Sequence, residues 1–143
     1  MNDKMILDVA AKALIVNQKG EVLILRESSV HDTNTQVGLY QLPGGRLDKG
    51  ESFFDALRRE VMEEVGLEIE PIRPLYVGEW SPVMKGVTHQ IVAIFILCKT
   101  KTTKVRLSDE HDAFKWIDPK DHKKYKFADP DWDVIDTYVR SAD

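Results

Sequence analysis

Three glutamates, Glu60, Glu63 and Glu64, crowd one short stretch, "REVMEEVGL", from Arg59 to Leu67. Like charges one helical turn apart repel, so a compensating cation is expected. Magnesium takes oxygen ligands in octahedral geometry and commonly uses one or two carboxylates together with substrate phosphates. Glu60 and Glu64 are one turn apart and can both reach one ion; Glu63 can reach a second ion or a bound water. Upstream, Gly44 and Gly45 permit close backbone approach, and a carbonyl there can add a ligand. Arg59 is spaced to pair with Glu51 or Glu63 and hold it still. Cations bridging phosphate oxygens neutralise charge and prepare a water nucleophile. Together the residues point to metal-assisted attack on a phosphate ester or anhydride. Taken alone, the three acids are equally well explained as a solvated helix face.

The carboxylates need a rigid support. The sequence predicts a helix with Ser52 as N-cap, Asp55 as a weak capping-box partner and Gly66 as a left-handed C-cap. At about 100° per residue, Phe54, Leu57, Val61 and Val65 form one stripe that should face a sheet, with the glutamates and the small Ala56 on an adjoining face. "DVAAKALIVNQKGEVLILRES" reads as a β-hairpin turning at Asn17–Gly20. The segment Ser28–Tyr40 reads as a loop, and "YQLPGG" as a short extended return. "PLYVGEW", "HQIVAIFILCKT" and "AFKWID" read as strands, the second apolar enough to be central. Asp118-Pro119 and Asp129-Pro130 each look like an N-cap followed by proline at the first helical position. A short helix near Lys120 and a terminal helix over Trp132–Val139 are therefore expected. This order suits an α/β layered domain with a mixed sheet.

Gly45, five residues, Glu51, seven residues and then "REVMEEVGL" resemble the Nudix box at every specified position: Gly45, Glu51, Arg59, Glu60, Val61, Glu63, Glu64, Gly66 and Leu67. A chance match is on the order of 10⁻¹⁰ per starting position at ordinary residue frequencies. The resemblance implies an α/β/α sandwich with a mixed β-sheet, as one Nudix hydrolase domain over 1–143. It implies cleavage of the pyrophosphate linkage of a nucleoside diphosphate derivative, or of a nucleoside triphosphate, by water activated with magnesium or manganese. Glu60 and Glu64 would be the principal metal ligands, and Glu63 a further ligand or an aid to water activation. The Gly44 carbonyl would complete the shell, Glu51 would be an auxiliary ligand, and Arg59 an orienting partner. Many family members take another acid from a late loop as ligand or base. In "LSDEHDAFKWID" the best match is Glu110, with Asp109 and Asp112 competing. Trp80 and Tyr40 are aromatic candidates for stacking on a nucleobase, with strand packing as the competing reading. Pro82, fifteen residues after Leu67, resembles a proline of ADP-ribose pyrophosphatases, whereas "YQLPGG" looks like MutT-type nucleoside triphosphate pyrophosphohydrolases. Dinucleoside polyphosphates also belong to the substrate class. The competing function is a nucleotide-sensing module without catalysis, but such domains usually degrade the box.

Bulk properties agree with this outline. The 143 residues suit one domain, and 43% hydrophobic with 31% charged residues suits a globular chain. A net charge of −4 argues against a long nucleic acid as partner. The lone Cys98, inside an apolar run, leaves no intrachain disulfide and no cysteine-based zinc site. "MILDVAAKALIV" is broken by Asp8 and Lys12 and is a poor signal-peptide core. No 18-residue apolar run suggests a membrane span, so a cytoplasmic protein is expected. The exposed N-terminal strand is suited to pair across a two-fold axis in a homodimer. His89 and His111 read as structural or solvent-facing, Trp116 and Trp132 as packing residues, and Lys99, Lys101, Lys104 and Arg106 as a solvated basic run. His31 and His122 support no assignment.

Overall fold

A computed structural model describes residues 4–28 and 38–141. Most of the expected loop, with His31, lies outside the described residues. Strand β1 (Met5–Val16) leads through the Asn17–Gly20 turn into β2 (Val22–Glu27). The Asn17 side-chain oxygen accepts from the Lys19 and Glu21 amides at 2.9 and 3.0 Å and so closes the turn. The expected hairpin is present only at its tip. Val16 pairs with Val22, and the two strands then diverge. The "YQLPGG" segment fills the opening: β3 (Tyr40–Gln41) adds to β2, and β4 (Gly44–Arg46) adds antiparallel to β1 over Ala10–Lys12. A second stretch of chain thus takes the hydrogen-bonding edges that a closed hairpin would have used.

Strand β5 (Glu70–Trp80), the short β6 (Val83–Met84) and β7 (Val87–Lys99) follow helix α1 (Phe53–Val65). As its apolar sequence suggests, β7 is central. It runs parallel to β1 along the whole of that strand and antiparallel to β5 and β6. Strand β8 (His111–Ile117) pairs with the outer edge of β2, with a bulge between Arg26 and Glu27. The mixed sheet has a core on each face. Ala10 and Leu14 of β1 pack towards Val134 and Ile135 of helix α2 (Asp131–Ser141), whereas Ala11, Ala13 and Ile15 pack towards Leu57, Val61 and Val65 of α1. The period-two alternation of one strand therefore feeds both layers of an α/β/α sandwich.

Both helix caps of α1 form as expected. Ser52 Oγ accepts from the Asp55 amide at 3.3 Å, and Gly66, at φ 70°, donates its amide to the Met62 carbonyl. The stripe differs at one position. Phe54 is 44% exposed, and Phe53 packs against the α1-side core instead, its ring edge-on to Phe54 at 5.2 Å. Angular position predicts direction but not where along its axis a helix leaves its support. Asp118 caps a 3-10 turn over Pro119–Lys124, as its sequence suggests. At the second such motif the register moves by one: the Pro130 carbonyl already accepts from Val134, so proline precedes α2 rather than opening it. Asp131 is released to point inward and accepts from the Leu42 amide at 2.7 Å. His122 is buried, bonded to Asp136 at 3.0 Å and to the Pro119 carbonyl, and ties the turn to α2. Cys98 is fully buried, and burial pushes its thiol up to about 12, so it is inert at neutral pH. Among the described residues no helix is long and apolar enough to cross a membrane.

Candidate active site

Strand β4 and helix α1 are joined at the carboxylates. The Gly44 amide donates to Glu64 Oε1 at 2.8 Å. Gly44 has φ 137°, and a Cβ there would lie 2.3 Å from the Ala11 carbonyl oxygen. Only glycine lets β4 lie this close to β1 while turning its N–H towards α1. Gly45 answers a different need, because a Cβ on it would sit 2.4 Å from the Glu60 carboxylate. The two adjacent glycines therefore clear space for the backbone and for an acid, respectively.

The three helix glutamates are unequal. Glu64 is only 7% exposed, Glu60 is half-buried and Glu63 is exposed. Burial pushes the Glu64 carboxyl up to about 8, against the pull of Lys12 and the Gly44 amide, and the charges of Glu110 and Glu60 push the same way. Burial also raises Glu60, where Arg59 opposes it. Arg59 gathers the remaining acids. It makes a two-pronged pair with Glu51 at 2.6 and 2.9 Å and reaches Glu60 at 3.0 Å and Glu63 at 3.3 Å. Its guanidinium, helped by the Asp48 amide, holds the Glu51 carboxyl down at about 2.

The late loop closes the cluster from the opposite side. Oxygens of Glu64 and Glu110 and a ring nitrogen of His111 all lie within 4.8 Å of one another. His111 is buried rather than solvent-facing, and burial brings it down to about 4, so the ring is neutral at pH 7. Asp112 points away and pairs with Arg26 at 2.7 Å, and Asp109 is exposed. Tyr40 packs edge-on to Tyr125 at 5.5 Å and beside Phe127, and both Tyr40 and Trp80 lie half-buried against the α2-side core. His89 bonds Asp8 at 2.9 Å and so lowers its carboxyl, with Arg46 on the same acid at 3.2 Å. Lys99, Lys101, Lys104 and Arg106 are exposed, as expected of a solvated run.

Sequence reasoning passed over Lys12, Glu27 and Gln41. Lys12 is 8% exposed yet sits in the middle of β1, and its charge acts on Glu64, His111 and Asp131. A lysine inside "VAAKALIV" was the available signal, since an unpaired charge in a buried strand is costly. Glu27 and Gln41 carry no such mark. Chemically, the donors are hard carboxylate oxygens at graded depths, with one neutral imidazole, a set that fits a small divalent cation.

A model of the NUDIX domain matches residues 7–138. The chain belongs to the Nudix family. A MutT-like protein from Streptomyces ambofaciens is 32% identical over 111 residues, covering 78% of this chain and 64% of that protein. The CTP pyrophosphohydrolase of Escherichia coli is 28% identical over 137 residues, 95% of this chain and 93% of its own. The crystal structure of a MutT protein from Methanosarcina mazei superposes with a TM-score of 0.79 at 27% identity, covering 96% of both chains. The mixed sheet with flanking helices is thus the Nudix fold, and residues 45–67 are its Nudix box.

Proposed function

We propose that this Nudix protein is a hydrolase that cleaves the pyrophosphate linkage of a nucleoside diphosphate derivative, with magnesium or manganese held at the carboxylate cluster. The observation that carries this reading is the burial of Glu64 beside Glu60 and Glu110, with no ion pair to its carboxylate among the described residues. A fold has little reason to keep such a group unless a cation neutralises it. Glu60 and Glu64 are the principal ligands in this reading, with Glu63, Glu110, the Gly44 carbonyl and Glu51 as the further candidates. When bound, the cation offsets phosphate charge and lowers the pKa of water. Glu110 or Glu63 accepts the proton of the attacking water. The water oxygen bonds to phosphorus while the bridging P–O bond breaks, and the leaving phosphate takes the electron pair. Arg59 holds Glu51, Glu60 and Glu63 in place. Tyr40 and Trp80 are assigned to the nucleobase.

A nucleoside triphosphate heads the substrate list, because the Escherichia coli relative that matches nearly end to end is a CTP pyrophosphohydrolase. The test is a hydrolysis screen with magnesium and with manganese over nucleoside triphosphates, oxidised triphosphates, ADP-ribose, dinucleoside polyphosphates and nucleotide sugars. Turnover of one class, abolished in Glu64→Gln, is the expected result. Tight binding of a nucleotide without turnover would make the protein a sensor.

A further inference from the structure

The middle of β1 carries a lysine among apolar neighbours. Ala11 and Ala13 pack towards α1, so Lys12 falls on the opposite face with Ala10 and Leu14, the face on which Tyr40 and Trp80 lie. Lys12 stands across from Gly44 in the β1–β4 ladder, and a Cβ on Gly44 would lie 3.0 Å from its Cδ. Its stem therefore runs along the backbone whose amide holds Glu64. The residue is 8% exposed, yet its ammonium makes no hydrogen bond and no ion pair among the described residues. Two carboxylates, Glu64 and Asp131, feel its charge without closing on it. Each is engaged elsewhere, Asp131 by the Leu42 amide and Glu64 by the Gly44 amide. Among the described residues, His111 Nδ1 is the one fully enclosed side-chain polar atom without a partner, so the Lys12 ammonium keeps an opening to water. A buried ammonium without a counter-ion is costly, and one that keeps an opening can be completed from outside.

Resting on the hydrolase reading above, we propose that Lys12 is a substrate-binding residue whose ammonium holds a phosphate group of the nucleotide beside the cation at the carboxylate cluster. The charge balance calls for an anion. A cation at Glu64 cancels the charge of that carboxylate, and two positive groups then share one neighbourhood, with only Asp131 on the far side of Lys12 to offset them. A phosphate lying against both offsets both, and an ammonium suits it as a point charge on non-bridging oxygens. A neutral acceptor, such as a nucleobase carbonyl, leaves the ammonium uncompensated. The placement agrees. Lys12 shares a strand face with the aromatic side chains assigned to the nucleobase, and a ladder position with the glycine that bonds Glu64. A nucleotide that runs from one to the other passes it.

The test is calorimetric titration of the folded protein with Mn2+ alone, and then with inorganic tripolyphosphate in saturating Mn2+, for the parent, Lys12→Met, Lys12→Gln and Lys12→Arg. Met and Gln keep much of the stem and remove the charge, and Arg restores it; folding is checked by circular dichroism. The parent is expected to bind tripolyphosphate in a Mn2+-dependent manner. The neutral variants should weaken that binding about tenfold or more, and Lys12→Arg should recover most of it. Mn2+ alone should bind the neutral variants at least as tightly as the parent, because a positive charge near Glu64 is gone. A merely structural role would weaken both ligands together. In the hydrolysis screen, Lys12→Met should lower kcat/KM by a similar factor whatever the nucleobase. Absence of Mn2+-dependent tripolyphosphate binding in the parent, unchanged affinity in the neutral variants, an equal loss for Mn2+ alone, or a kinetic loss confined to one nucleobase would each overturn the inference and leave the carboxylate reading standing. Absence of Glu64-dependent Mn2+ binding would overturn both.

Discussion

Glu64, the proposed metal ligand, carries a cost in stability. Its carboxyl sits at about 8 in the folded chain and at the ordinary 4.5 when unfolded. Below pH 4.5 both states are protonated and no penalty applies. As pH rises towards 8 the unfolded state ionises first, so the stability of the metal-free protein falls across that window. Glu64→Gln removes the penalty. Thermal melts at pH 8 without metal are expected to place this variant on the order of 5 °C above the parent. Added Mn2+ should raise the parent's Tm and leave the variant's unchanged. A metal-free variant that melts below the parent at pH 8 would mean that the carboxylate is satisfied in some other way. Glu110 and Asp112 separate at the same scale. Only Glu110 lies beside Glu64, while Asp112 is engaged by Arg26. Glu110→Gln is therefore expected to slow hydrolysis at least tenfold, with Asp112→Asn near the parent rate in the same assay.

At the scale of elements, the two glycines of β4 are expected to fail differently. In Gly44→Ala the new methyl meets the backbone of β1, which cannot yield, at a φ that side chains rarely adopt. This variant should lose several kcal/mol of stability, on the order of 3 or more, in denaturant unfolding. In Gly45→Ala the methyl meets the end of the Glu60 side chain, which can swing away. The fold and Tm should survive, while metal affinity and activity fall about tenfold or more. This difference was hidden in the sequence, where the glycines look alike. The box makes their presence legible, but the direction of each missing side chain depends on β1 and α1 meeting at β4.

Across the whole molecule, the sheet divides two cores of unequal bearing on the site. Leu57 lies on the helix that carries the glutamates, and Ile135 lies on α2 at the other face of the sheet. Both are fully buried, so truncation of either to alanine should cost about 2–5 kcal/mol. Mn2+ affinity should weaken in Leu57→Ala and stay near the parent value in Ile135→Ala, as titration of the folded variants would read. The divergence of β1 from β2 belongs to this scale too. A local turn signal set the tip of the hairpin, but the edges beyond it were taken by a segment about twenty residues further along.

The sequence by itself determined the box, the capped helix and the central strand, because each rests on a pattern within one short segment. It carried the glutamates as a set, since helical geometry fixes which residues share a face. Only the tertiary structure graded them, burying Glu64, half-covering Glu60 and exposing Glu63, because depth depends on what lies opposite. It also turned Phe54 outward, moved Pro130 to the position before its helix, and brought Glu27, Gln41 and His111 together from three strands. Those contacts join residues up to 84 positions apart, from Glu27 to His111, and no local pattern records such a meeting.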